Sequence, residues 1–506
     1  MFSTVLSATL HGLSVEFIDV EADVSNGLPM FHLVGYLSSE VKEAGERVRT
    51  AIRNSGYLLP AKKIVVNLSP ADKRKRGTSF DLPIAAAVLM ALDEIPKESL
   101  KNTLLVGELS LDGTVKSAVG VLPIVIEAQK KGCKCCIVPK DNLEEASLVT
   151  NIQIIGVSSL QEVCGILNGN ISVTYAKKKK EEVIEEYSMD FSDIKGQYLP
   201  KRAVEIAVAG NHNLLMVGPP GAGKTALAKR MPTILPPLTK DECMELTMIY
   251  SIIGELNSDN PLITQRPFRE VHQTVTKSGL IGGGVLPKPG EITLANKGIL
   301  FLDEIAEFKR EVLETLRQPM EEKRIKILRE RGDYEFPAEF LLVAAMNPCP
   351  CGCYPDKNRC QCTDNQIKKY LNRISQPLLD RIDLCVEVAK VPYEALTNFN
   401  QEESSKTIRE RVMKAREIQK VRYKNMDIQT NAYMDAKQIK EICILDEEGE
   451  KIMEHAFVKM ELTARSYHKV LCVARTIADL EGKENIESRH LREALSYRSM
   501  NQKYWR

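Results

Sequence analysis

The sequence predicts an α/β protein that ends in an all-helical tail. Three observations predict it. The chain has 506 residues, too many for one core, so about three domains are expected. Short apolar runs alternate with helical stretches up to Pro392, the pattern of parallel strands joined by helices. Beyond Pro392, charged and apolar residues recur at helical spacing through Arg498. These changes divide the chain at 1–175, a charged linker at 176–189, an α/β region at 190–392 and a helical region at 393–506.

Composition sets the outer limits. Apolar residues make up 43% and charged residues 27%, the balance of an ordinary globular chain. Net charge is +1, so any polyanion must be met by a local basic patch. No apolar run is long enough to span a membrane. The start, Met1-Phe2-Ser3-Thr4-Val5, lacks a basic segment followed by a sustained apolar core. A cytoplasmic location with reduced thiols is therefore expected. Thirteen cysteines in that setting point to metal ligands or packing, not disulfides.

In the first region, Ile64–Leu68 and Leu104–Gly107 read as strands and the Ala-rich run Leu82–Leu92 as a helix. The block Lys177-Lys178-Lys179-Lys180-Glu181-Glu182 then interrupts the pattern and reads as a solvated linker.

The α/β region carries the strongest signal. Leu214-Leu215-Met216-Val217 is a buried strand by its composition. It leads into Gly218-Pro219-Pro220-Gly221-Ala222-Gly223-Lys224-Thr225, which fits GxxxxGK[ST] at every fixed position. Thr225–Arg230 reads as the first turns of a helix. Strand, loop and helix in this order cradle the phosphates of ATP with backbone N–H groups and a helix N-terminus. Lys224 is expected on the terminal phosphates and the Thr225 hydroxyl on Mg²⁺.

A strand at Gly298–Leu302 delivers Asp303 and Glu304 to the same sheet edge. Asp303 is expected to hold Mg²⁺ and Glu304 to orient and polarise the attacking water. A further strand at Phe340–Ala345 precedes Asn347, which either contacts the γ-phosphate or simply makes a turn. Leu378-Leu379-Asp380-Arg381-Ile382-Asp383 sets an arginine among acids. Arg381 and Arg373 both qualify as a residue that reaches a neighbouring subunit's γ-phosphate, the alternative being a surface ion pair.

Cys349, Cys351, Cys360 and Cys362 follow the spacing C-x-C-x8-C-x-C, with Cys353 as a fifth thiol. Four thiolates satisfy a closed tetrahedral Zn²⁺ site, which is structural because no position stays open. Cys133, Cys135 and Cys136 share one short apolar stretch and read as packing residues or a weak metal contact, not as a built site. Lys323–Tyr334 reads as a hairpin with Arg329 and Arg331 at its tip and with Ile325 and Lys326 on opposite faces.

Taken together, these residues resemble the YifB/ComM family of magnesium-chelatase-like AAA+ ATPases. The resemblance runs through Gly196-Gln197, Gly210-Asn211-His212-Asn213, Pro289-Gly290-Glu291, Ala344-Ala345-Met346-Asn347-Pro348-Cys349-Pro350-Cys351-Gly352 and Thr463-Ala464-Arg465-Ser466-Tyr467-His468. It implies an N-terminal Lon-protease-like α+β domain, an AAA+ P-loop NTPase domain with a parallel sheet, and a C-terminal helical lid. It also implies that Asn347 is the sensor-1 residue, Arg465 the sensor-2 arginine and Arg381 the finger, and that Cys353 is outside the metal ligand set.

The family further implies a homo-oligomer, a hexameric ring around DNA, with branch migration in recombination or natural transformation as the activity. By the same resemblance the Arg329 hairpin and the Gly279–Gly284 run occupy pore-loop positions. After Arg266-Pro267-Phe268-Arg269 this chain departs from the family's His-His pair and keeps His272 alone. Gly77-Thr78-Ser79-Phe80-Asp81 resembles the Lon proteolytic fold, but Val121–Ile126 carries no lysine where a Ser–Lys dyad needs one, so no protease activity is expected. Two other readings stay open: a chelatase-like subunit driving metal insertion or remodelling of another protein, and a scaffold whose assembly nucleotide controls.

Overall fold

The computed structural model describes residues 1–172, 187–284, 287–329, 332–356, 358–393 and 402–505. The tetralysine block and Arg331 lie outside the described residues. The chain forms two compact units, one from Met1–Val183, Lys240–Ile263 and Leu328–Glu335, the other from Ile184–Thr239, Thr264–Ile327 and Phe336–Arg506.

The first unit is built on β1 (Phe2–His11), β2 (Ser14–Ser25), β3 (Met30–Val34), β4 (Lys63–Ser69), β5 (Thr103–Leu105), the short pair β6 (Glu108–Leu109) and β7 (Val115–Lys116), β8 (Cys135–Pro139) and β9 (Gln153–Val157). Seven of these make one sheet in the order β3-β4-β2-β1-β5-β8-β9. β1 pairs antiparallel with β2 in a register that sets Val5 opposite Val20, and β5, β8 and β9 run parallel to β1. Val5, Val20, Ala22 and Val24 join a core with the helices Ser39–Asn54 and Asp81–Ala91. Every residue of Asp81–Ala91 is buried, which is why that helix is apolar on all sides. β5 stops at Leu105, short of the expected Gly107, because the Gly107 carbonyl instead accepts the Leu82 N–H at 3.0 Å.

The second unit holds β10 (Leu214–Val217), β11 (Phe268–Val271), β12 (Ile299–Leu302), β15 (Leu341–Met346) and β16 (Leu384–Glu387), while β13 (Arg324–Arg329) and its partner β14 (Gly332–Pro337) form a separate hairpin whose residues Leu328–Glu335 belong to the first unit. Its sheet has the order β11-β12-β15-β10-β16, and all four pairings are parallel. β10, β12 and β15 are buried at every position, as strands covered on both faces must be. This mixed α/β arrangement is consistent with AAA+ architecture. Because β15 and β16 flank β10, the chain changes direction around β10, and the crevice at the carboxyl ends of these strands is where ligands bind such sheets.

The tail folds into the helices Ser405–Arg422, Ala436–Ile442, Glu447–Lys459, Ala464–Leu480 and Ser488–Trp505. They share a single core with the sheet: Val412, Val470, Ile477 and Leu491 belong to the same buried cluster as Leu214, Phe301 and Val343. A buried polar knot adds direction to that packing. The His212 Nε2 lies 2.7 Å from the Thr476 hydroxyl, Asn431 donates to Thr476 and Asp479, and Arg422 pairs with Asp479 at 2.6 Å.

Candidate nucleotide site

The loop after β10 and the ends of β12 and β15 converge on one open cleft lined by Pro220–Ala226, Asp303, Glu304, Met346 and Asn347. The loop is tied to the sheet at its start, where the Gly218 N–H donates to the Met346 carbonyl at 3.1 Å. It ends at Gly223, whose φ of 97° lies in the left-handed region, before the helix Lys224–Arg230.

Lys224 is buried, and its ammonium donates to the carbonyls of Gly218 (2.7 Å) and Pro219 (3.0 Å) and to Asn347 Oδ1 (3.1 Å). Burial pushes its pKa down while Asp303 and Glu304 oppose that shift. Asn347 thus faces the phosphate-loop lysine. The Thr225 hydroxyl donates to Asp303 Oδ2 at 2.8 Å. A hydroxyl and a carboxylate sharing one point are the hard oxygen donors that Mg²⁺ takes.

Glu304 follows with φ 51° and ψ 46°, a conformation rarely held outside glycine and common at functional sites. That turn lets its N–H donate to Asp303 Oδ1 at 2.9 Å, and its side chain stays exposed in the cleft. Five of the expected residues, Lys224, Thr225, Asp303, Glu304 and Asn347, are therefore together.

Arg381 and Arg465 do not line this cleft. They meet at a second pocket, with Lys323, Asp383 and Lys469, and both pair with Glu321 of the helix Arg317–Glu322. Arg381 donates to Glu321 at 2.7 Å and to the Pro377 carbonyl at 2.6 Å, and its buried Nε has no partner among the described residues. Arg373 instead pairs with Glu307 at 2.5 Å, just beyond Glu304 in sequence.

One residue at the site was overlooked by the sequence reading as a functional group. The Gln197 side chain donates to the carbonyls of Ala222 (3.0 Å) in the phosphate loop and Ala389 (2.6 Å) after β16. Its left-handed backbone, φ 57°, gives no signal in a sequence. His272 is exposed and its ring contacts Thr274 at 2.9 Å.

The sulfurs of Cys349, Cys351, Cys360 and Cys362 all lie within 4.8 Å of one another. Those from Cys349 are 3.4 Å from Cys351 and 3.7 Å from Cys360, and Cys351 to Cys360 is 3.6 Å. Zn–S bonds of ~2.3 Å in a tetrahedron set sulfurs about 3.8 Å apart, so the donor set fits zinc. The Tyr354 N–H donates to the Cys349 sulfur at 3.3 Å, the kind of outer hydrogen bond that orients a metal ligand. The Cys353 N–H, the largest influence, helps draw the Cys351 thiol down to about 6. Cys353 itself turns to the Cys351 carbonyl and stands outside the group. Cys135 and Cys136 occupy opposite faces of β8 in two different cores, so they serve packing.

In the first unit the Thr78 hydroxyl is bonded to Glu108, and Arg47 holds the buried Asp81 at 2.9 and 3.0 Å. The helix Val121–Lys131 buries Val121–Val125, its lysines sit in the last turn, and Lys116 on β7 is exposed. Among the described residues no helix is long and apolar enough to cross a membrane.

On the hairpin, Ile325 and Ile327 are buried while Arg324, Lys326 and Arg329 are exposed, the alternation expected.

Comparison with known proteins agrees with this geometry. Residues 190–396 match the family described as magnesium chelatase, subunit ChlI, residues 402–498 its C-terminal part, and residues 20–142 the subunit ChlI of Mg-chelatase. The chain is similar to the competence protein ComM of Haemophilus influenzae, with 44% identity over 98% of this chain and 97% of that protein. It is similar to the YifB protein of Escherichia coli at 42%, over 99% and 97%. A shorter similarity, 34% over 128 residues, relates 25% of the chain to 22% of Lon protease 2 of Bacillus subtilis. With near-complete coverage of both chains at these identities, the protein belongs to the ComM/YifB family of magnesium-chelatase-like AAA+ ATPases.

Proposed function

We propose that this protein hydrolyses ATP at the cleft of Lys224, Thr225, Asp303, Glu304 and Asn347 and uses the energy to move DNA. The observation that carries the reading is the convergence of the Lys224–Asn347 and Thr225–Asp303 hydrogen bonds on one cleft beside the exposed Glu304 carboxylate. Lys224 binds the terminal phosphates in place of the loop carbonyls it now holds. Thr225 and Asp303 hold Mg²⁺, which neutralises charge on the phosphate oxygens. Glu304 accepts the proton of the attacking water, and Asn347 positions that water or the γ-phosphate.

Phosphoryl transfer also needs a cation at the leaving charge. Arg381 and Arg465, paired on Glu321 away from their own subunit's cleft, serve a neighbour's nucleotide in a hexameric ring. The four converging thiols hold a structural Zn²⁺. DNA is gripped through its phosphates, without sequence readout, by exposed hairpin residues such as Lys326 and Arg329. In keeping with the similarity to ComM, a competence protein, the work proposed is branch migration during recombination or transformation, in the cytoplasm.

The matched chelatase description favours a second reading, in which the same motor remodels a protein partner for metal insertion. ATP turnover measured with and without single-stranded, duplex and branched DNA separates the two, followed by strand exchange on a four-way junction. Stimulation by DNA and exchange dependent on ATP are expected. Turnover indifferent to every DNA form would reject the DNA reading in favour of the second.

A further inference from the structure

The cysteine cluster is not a remote staple. Cys349 lies two residues beyond Asn347, whose side chain accepts from Lys224, and three beyond Met346, whose carbonyl accepts from the first residue of the phosphate loop. The cluster also touches the loop directly. Gly352, between the ligands Cys351 and Cys360, packs on Pro220 so closely that a Cβ there would overlap the Pro220 ring. Its φ of 76° is left-handed as well, and its N–H closes a turn to the Cys349 carbonyl at 3.0 Å. Gly352 is buried, whereas Pro220 lies at the rim of the cleft.

We propose that the metal held by Cys349, Cys351, Cys360 and Cys362 clamps the phosphate loop, through Asn347 on one side and the Gly352–Pro220 contact on the other, so that zinc occupancy sets nucleotide affinity. The inference rests on the ATP reading of the cleft. The physical reason is that without a metal no bond holds the four sulfurs together and the loop between Cys349 and Cys362 can open, because a closed site of this kind contributes folding free energy only when loaded. Opening displaces Gly352 from Pro220 and removes the support behind Asn347. The phosphate loop then samples more conformations, and the fraction competent to bind nucleotide falls.

The test uses the full-length protein. Zinc content is measured by elemental analysis, and affinity for a fluorescent ATP analogue is measured in the zinc-loaded state, after chelation, and after zinc is restored. The wild type should hold one zinc per chain, lose affinity by about tenfold or more on chelation, and recover it on reloading. Gly352→Ala keeps all four thiols. It should retain zinc and still bind nucleotide more weakly, by a similar factor, since its methyl group drives the two loops apart. Its zinc content shows that the knuckle has folded. Equal affinity of loaded and zinc-free protein, or an unchanged affinity of Gly352→Ala, would overturn the clamp alone. A zinc-loaded wild type that binds no nucleotide would overturn the ATP reading and the clamp with it.

Discussion

Two helix starts in this molecule look alike in sequence and behave differently. Gly77-Thr78-Ser79-Phe80-Asp81 and Gly223-Lys224-Thr225 each put polar residues after a glycine at the head of a helix. In the first, every charge is answered internally: Asp81 is fully buried against Arg47, and Thr78 is bonded to Glu108. In the second, Lys224 rests on loop carbonyls that a phosphate can displace, and Glu304 faces the cleft with its carboxylate exposed. A closed polar network holds a fold together, whereas a partly open one at a sheet edge leaves capacity for a ligand.

The largest effect that sharpens this contrast is expected at Lys224. Lys224→Ala removes the cation that meets the phosphates, so nucleotide binding should fall by at least ~100-fold, with the fold kept. Binding titration with an ATP analogue checks this, and near-normal affinity would break the distinction between the two sites.

The converse change belongs to the first unit. Asp81→Ala removes both hydrogen bonds that the partly exposed Arg47 makes to a buried carboxylate, leaving it Glu43 and the Glu40 carbonyl, and should cost about 2–3 kcal/mol of that unit's stability. ATP turnover per folded molecule should stay close to wild type. Denaturant unfolding alongside turnover reads both.

A pH effect of intermediate size is expected in the second unit. His212 is fully buried, and burial holds its pKa at about 4 despite the nearby Asp383, with Lys469 and Arg416 adding to the shift. Its folded pKa lies below the unfolded value near 6.5, so the unfolded chain binds the extra proton. Stability is full above pH 6.5 and falls as pH drops toward 4, by about 2 kcal/mol at pH 5 and about 3 in total. His212→Gln should flatten the difference between unfolding midpoints at pH 7 and pH 5. An equal slope in wild type and variant would remove His212 from the account. The smallest effect is expected for Ser79→Ala, which should change neither stability nor turnover by more than about 0.5 kcal/mol.

What was legible in the sequence follows the same contrast. β10, β12 and β15 were readable because strands covered on both faces must be continuous apolar runs. The edge strands β11, Phe-Arg-Glu-Val, and β16, Leu-Cys-Val-Glu, were not, since charged residues interrupt the first and cut short the apolar run of the second. That Lys224, Thr225, Asp303 and Glu304 would stand together was legible because the first two fall at fixed positions of GxxxxGK[ST] and the two acids end a buried strand of the same kind. Gln197 and Glu321 were not, because their roles come from contacts across 25 residues or more of chain that no local spacing encodes. The cysteine spacing announced a metal site, but its seat against Pro220 is a tertiary fact.

The central claim is that Glu304 activates the water that splits ATP. Single-turnover hydrolysis by Glu304→Gln, beside ATP binding by the same protein, tests it most directly. The account predicts hydrolysis slowed by about 10²–10⁴-fold with ATP affinity unchanged. Hydrolysis at the wild-type rate by that variant would contradict it.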